Sequence, residues 1–193
     1  MNTRIKTDTK GEPLSKDEVF NFIKFEDTSN TSEIALIMSM IASVRTHFER
    51  RTGLSFMEKT YETLFKIDDK PFVLPIQPII SVDKVELVDQ YGEKTELTLD
   101  TDYYKRGLYE IEIFTSSMAG WTNPLTSFSG YYDLFVTYKA GYGHGDTETL
   151  PFDLRDAMMK QIKQWYDNRD DFYEFKILGS IEKILNTYKT RLF

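Results

Sequence analysis

The spacing of apolar residues changes twice along the chain, and this limits the fold more than any other feature. Between Asn30 and Gly53 apolar side chains fall at Ile34, Ile37, Met38, Ile41, Val44 and Phe48. That is the repeat of one face of an α-helix, over about four turns or more. From Phe56 to about Lys139 the repeat drops to two, as in Tyr61, Thr63, Phe65 and Ile67 or Tyr132, Leu134, Val136 and Tyr138. After Asp153 the helical repeat returns with Leu154, Met158, Ile162 and Trp165, then with Ile181, Ile184, Leu185 and Tyr188. The class is therefore α+β, with N- and C-terminal helices packed together around an inserted β subdomain. With no helix between the strands, the sheet should be mostly antiparallel. The divisions are a flexible N-terminal arm (1–12), a helical domain (13–55 and 150–187), the β subdomain with a glycine-rich junction (56–149) and a C-terminal arm (188–193).

Local signals place the elements. Ser15 and Glu18 form a capping box, and Leu14 can staple onto Val19. This first helix shows Val19, Phe20, Phe22 and Ile23 and should end near Phe25–Asp27. Asn30, three residues before Glu33, starts the second helix, and Gly53 ends it by taking the left-handed conformation. Its other face carries Arg45, Glu49, Arg50 and Arg51. Pro71 and Pro75 bracket a short strand, and Ile80, Val82, Val85 and Leu87 form another with a slip suggesting a bulge. Gln90–Glu93 is a turn before Leu97 and Leu99, Ile111 and Ile113 alternate after Tyr109, and Trp121–Pro124 is a loop. Asp153 and Ser180 are the caps expected for the last two helices, with a break near Asn168–Phe172.

Composition removes several functional classes. The 193 residues carry 24 Lys and Arg against 31 Asp and Glu, a net charge of −7. Such a chain is unsuited to gripping nucleic acid by its phosphates, which takes clustered cations. It can still line a passage through which nucleic acid slides. There is no cysteine, so neither disulfides nor thiolate metal sites are available. No apolar run nears the ~20 residues of a membrane span, and the first residues lack an apolar signal core. Aromatic residues make up 15%, with 14 Phe and 12 Tyr, which suits interfaces.

The run Val136–Gly145, VTYKAGYGHG, has the look of a phosphate cradle. A P-loop needs a Gly-Lys pair after four residues, because the lysine meets the phosphate charge, and no lysine stands in register. A dinucleotide fingerprint must open a helix inside a βαβ unit, whereas here Pro151 and several residues intervene. Gly141, Gly143 and Gly145, with Pro151, fit a strand-to-helix junction that uses glycine's backbone freedom. His144 and Asp146 are candidate metal ligands, but the other histidine, His47, lies far off on the second helix, and zinc takes three or four protein ligands. No G-x-S-x-G elbow is present; Ser43 shares a helix face with His47, where a hydroxyl more often bonds the backbone. Asp68–Asp69 and Asp170–Asp171 fit solvated turns. Arg45, Arg50 and Arg51 with Lys59 form a basic stretch broken by Glu49 and Glu58, which suits a solvated or subunit-contacting helix face better than a DNA grip.

Taken in order, four segments resemble the head–tail connector (adaptor) proteins of tailed bacteriophages. They are Glu12-Pro13-Leu14-Ser15 with Glu18-Val19; Phe48-Glu49-Arg50-Arg51-Thr52-Gly53; Leu74-Pro75-Ile76-Gln77-Pro78 leading to Ser81-Val82; and Val136-Thr137-Tyr138-Lys139-Ala140-Gly141-Tyr142, then Leu150-Pro151 and Trp165-Tyr166-Asp167-Asn168-Arg169. The closing Ile184–Lys189 is similar to the family's last motif, with Thr187 for proline and Lys189 for arginine. The resemblance spans about residues 12–190.

It implies a non-enzymatic virion protein without cofactor or metal. The protein would form a twelve-fold homo-oligomeric ring under the portal, in the neck, after assembly in the host cytoplasm. Double-stranded DNA would pass its lumen without tight binding during packaging and ejection, and a stopper or tail-completion protein would dock below. The resemblance also points to Tyr188, Lys189, Arg191, Leu192 and Phe193 as the portal-contacting arm, and Arg45, Glu49, Arg50 and Arg51 are the candidate inter-subunit or channel face. Two other readings are a stopper, told apart by co-assembly with tail tube rather than portal, and an enzyme using the 141–146 loop. Alanine at Gly143, His144 and Asp146 would abolish turnover only in the enzyme.

Overall fold

A computed structural model describes residues 1–8, 11–27, 29–66, 72–106, 110–113, 133–143, 149–168 and 176–189. It contains helices and antiparallel sheet, the α+β class expected. Chain order is β1 (Asn2–Thr7), α1 (Lys16–Ile23), α2 (Thr31–Thr52), β2 (Lys59–Lys66), β3 (Phe72–Val73), β4 (Ile79–Val88), β5 (Lys94–Glu96), β6 (Tyr103–Arg106), β7 (Glu110–Ile113), β8 (Asp133–Ala140), α3 (Phe152–Asp167) and α4 (Gly179–Tyr188). The described residues of Met1–Thr9 and Glu58–Gly141 form a sheet unit, and those of Lys10–Met57 and Tyr142–Arg191 a helical unit. The expected features at Ile67–Pro71, Tyr109, Trp121–Pro124, Tyr132 and Asp170–Phe172 lie outside the described residues.

In the helical unit the local signals act as physical chemistry dictates. The Ser15 hydroxyl accepts from the Glu18 amide at 3.2 Å, and the Glu18 carboxylate accepts from the Ser15 amide at 2.9 Å. Leu14 and Val19 are both buried. α1 stops sooner than expected, because Lys24 turns left-handed (φ 61°) and the Phe25 amide donates back to the Phe20 carbonyl. In α2 the Asn30 side chain accepts from the Glu33 amide, and Gly53 at φ 75° closes the helix. Ile37, Ile41, Val44 and Phe48 are buried, whereas Met38 is exposed. They join Leu154, Met158, Ile162 and Trp165 of α3 and Ile181 and Leu185 of α4 in one apolar cluster.

Two caps differ from expectation. α3 starts at Phe152 with Pro151 before it and no side-chain cap, so Asp153 stands inside the first turn. Proline already fixes a helix-compatible φ there, and its carbonyl accepts the first bond, from the Arg155 amide. α4 starts at Gly179, one residue before Ser180, with Leu178 in the cap position. The cause lies on α3. Gln161 is fully buried; its carbonyl accepts from the Leu178 amide, and its amide donates to the Lys176 carbonyl.

The sheet unit holds a five-stranded antiparallel sheet, ordered β1-β2-β8-β4-β5, and a three-stranded one, ordered β3-β7-β6. β8, the last strand in sequence, is central, and Leu134, Val136 and Tyr138 on it are fully buried. On the same face Tyr61 stacks on Tyr138 at 5.7 Å, and Phe65 meets Phe72 of the smaller sheet edge-on at 5.6 Å. The slip expected in β4 is present as a register shift between Val82 and Lys84, and the hairpin turns at Gly92 with φ 85°. One expectation fails outright. Residues 2–7 are no flexible arm but a strand paired with β2. That strand buries almost nothing apolar, so no alternation announced it. Its side chains bind instead: Thr3 to Thr63, and Arg4 and Lys6 to Glu62.

Candidate assembly surfaces

The glycine junction comes first. Gly141 and Gly143 have φ of 128° and 83°, where a Cβ is strained. The Gly141 amide donates to the Pro78 carbonyl, within the sheet unit, and the Tyr142 amide donates to the Ser55 carbonyl, within the helical unit. Gly145, His144 and Asp146 lie outside the described residues. Among the described residues no group of three His, Asp or Glu side chains suits a metal ion. His47 packs edge-on against Trp165 at 5.8 Å between ring centres.

The four charged residues at the end of α2 do not form one free face. Arg45 grips Glu12 with two bonds of 2.7 and 3.0 Å and reaches Glu49 at 3.1 Å. The other Glu49 oxygen accepts from the Phe56 amide at 2.8 Å, which fastens the chain just after the helix stop. Both side chains are only 14% exposed. Arg51 is half exposed and bridges to Glu182 of α4 at 2.7 Å, and Arg50 is exposed. Sequence reading missed Glu12 as a partner because the pair is far apart along the chain.

The Tyr188 hydroxyl donates to the Asp153 carboxylate, 2.8 Å from each oxygen. That bond to a carboxylate is the largest of the causes that push the phenol up to about 12. The last turn of α4 is thereby tied to the first turn of α3. Lys189 follows and is exposed. Arg191, Leu192 and Phe193 lie outside the described residues. Close by in sequence, Phe152 is 85% exposed, and Asp153 and Asp156 follow it in the first turns of α3.

The five-stranded sheet holds two carboxylates on the face away from Tyr61 and Tyr138. Glu62 is met by Arg4 and Lys6, and Glu86 by Lys84 and Lys94. Burial pushes both carboxyls up, but the bonds and charges of these cations outweigh it and hold them below the ordinary range. Lys94 also lies 3.6 Å from the ring centre of Phe135. No helix of the described residues is long and apolar enough to cross a membrane.

No protein-family model and no curated protein sequence matches the chain. Solved structures do. The fold is similar to a chain in the neck of an empty GTA particle computed with C6 symmetry, at TM-score 0.75 and 19% identity, covering 100% of this chain and 97% of that one. It is likewise similar to chains in the virion of a native gene transfer agent (GTA) particle (TM-score 0.70, 20% identity) and in the neck of a native GTA particle computed with C12 symmetry (0.67, 19%). Each of these matches also covers 100% of this chain and 97% of the other. The chain thus shares its fold with chains of GTA particles, two of them from the neck.

Proposed function

We propose that this chain is a structural neck protein of a tailed phage or phage-like particle, an adaptor that forms a ring beneath the portal. The observation that carries the reading is the whole-chain likeness to neck chains of particles computed with C6 and C12 symmetry. A twelve-fold ring matches the C12 case, and a net charge of −7 suits a lumen along which DNA slides without being held. The ring extends the DNA channel and presents a platform for the next neck or tail component. The segment from Tyr188 onward docks against the portal. Its support is positional: the Tyr188–Asp153 bond fixes where α4 ends, and the exposed Lys189 leaves that point. On this reading no step is catalytic.

Removing everything after Leu185 tests the docking arm. The shortened protein should keep its circular dichroism spectrum and lose co-sedimentation with portal. Undiminished portal binding by the shortened protein would sink the arm assignment.

A further inference from the structure

A surface helix ordinarily sets charges opposite its apolar face. α2 does not. From Ile34 to Val44, eleven residues, it carries no charged side chain. One side, Ile37, Ile41 and Val44, is buried in the helical core. The other side is exposed and equally free of charge: Ala35, Leu36, Met38 and Ser39, with Leu36 and Met38 each 37% exposed. That is the pattern of a helix packed from both sides, with one side vacant in the single chain.

The same unit offers a matching projection. Phe152 is 85% exposed, the start of α3 presenting a whole aromatic ring. Leu154, Ala157, Met158, Gln161, Ile162 and Trp165 mark the buried side of α3. At 3.6 residues per turn, Phe152 lies roughly 150° round the helix from the middle of that side. On α2, Ala35 and Ser39 likewise lie opposite Ile37, Ile41 and Val44. Both buried sides share one core, so the charge-free face and the exposed ring both point outward from it, on different helices. A patch that pairs with itself makes a two-fold dimer, whereas two different patches join copies head to tail, which gives a ring where the rotation closes. The α2 patch presents no charge that the contact would have to desolvate, and Asp156, beside Phe152, is already paired with Lys160.

We infer that in the assembled ring Phe152 of one copy packs onto the α2 face formed by Ala35, Leu36 and Ser39 of the next copy. This rests on the ring reading above and moves the subunit contact away from the arginines at the end of α2.

The chain has no cysteine, so introduced ones are unique. Asp156 is exposed and stands one turn after Phe152 on the same side of α3. The full-length double variant Ser39→Cys/Asp156→Cys, treated with a short bismaleimide, should give a ladder of covalent multimers rising one chain at a time. Each single variant should stay at the mass of one chain. Adding Ala35→Glu or Phe152→Asp should remove the ladder while the circular dichroism spectrum stays unchanged. Dimers from Ser39→Cys alone would mean that α2 pairs with itself, and cross-linking of that variant to another neck protein would mean a different occupant. Either outcome overturns the inference, and so does the absence of a ladder. Portal co-sedimentation of the same samples keeps the two readings apart: binding without a ladder refutes this contact alone, and a ladder without binding refutes the neck role alone.

Discussion

The two units differ in where they keep polar groups, and the difference shows what each depends on. In the helical unit the buried polar residues are the uncharged Thr52, Ser55 and Gln161, and Gln161 spends its bonds on the start of α4. Its ion pairs fasten one segment to another: Arg155 with Glu18, Arg45 with Glu12 as well as Glu49, and Arg51 with Glu182. In the sheet unit two carboxylates stand among the strands themselves, each held by two cations. The helical unit should thus be most sensitive to loss of volume, and the sheet unit to loss of ion partners.

The largest effect expected is from Phe48→Ala. Its ring is fully buried and meets Phe56 edge-on at 6.4 Å. Truncation should cost roughly 3–5 kcal/mol. Denaturant unfolding followed by Trp165 fluorescence, in a Trp121→Phe background, reads this in the helical unit. Phe135→Ala, on the half-exposed sheet face, should cost far less. If the two costs were equal, the contrast in how the units are built would fail. Next comes Gln161→Leu, which fills the same space but leaves the Leu178 amide and Lys176 carbonyl without that partner. A loss of about 1–3 kcal/mol follows from losing both bonds, seen in the same assay, with faster amide exchange at the start of α4. An unchanged exchange rate there would show that Gln161 does not place the helix.

Titration separates the units further. Burial is the main cause that pushes the Tyr138 phenol up to about 12, and the bond to Asp153 is the main cause for Tyr188. A raised value means the stabilisation is complete below the ordinary 10.0 and is lost as pH rises towards about 12. Tyr188→Phe should reduce this alkaline dependence in the helical unit alone, and Tyr138→Phe in the sheet unit alone, where burial still holds the Tyr103 phenol up. Tyrosinate absorbance and Trp165 fluorescence read the two together. At acid pH the sign reverses. The depressed Glu62 and Glu86 stabilise the sheet above the ordinary carboxylate value of 4.5, and this is lost as pH falls below it. Glu62→Gln should therefore flatten the acid limb of the sheet's unfolding. The smallest effect belongs to Lys160→Ala, which breaks an exposed i,i+4 pair with Asp156 and should change stability by less than about 0.5 kcal/mol.

Much of this was legible because it is local. The Ser15–Glu18 box, the Asn30 cap, the Gly53 stop and the slip in β4 each depend on residues a few positions apart. What stayed hidden depends on distant partners. β1 has no apolar alternation, since Arg4 and Lys6 need Glu62 from another strand. The central place of β8 follows from which strands pair, which alternation within one strand does not encode. Arg45 and Glu49 read as an open charged face because Glu12 and the Phe56 amide come from outside the helix. Asp153 read as a cap, yet its carboxylate is taken by Tyr188 from the end of the next helix. The charge-free run from Ile34 to Val44 was visible throughout. Its meaning needed the structure, which leaves Leu36 and Met38 uncovered.

The central claim is that copies of this chain close into a ring on the portal. Electron microscopy of the purified full-length protein mixed with portal, averaged without imposed symmetry, tests it most directly. The account predicts added density coaxial with the portal, twelve-fold about an open channel wide enough for duplex DNA. Portal particles unchanged by the protein, or single copies bound off the axis, would contradict it.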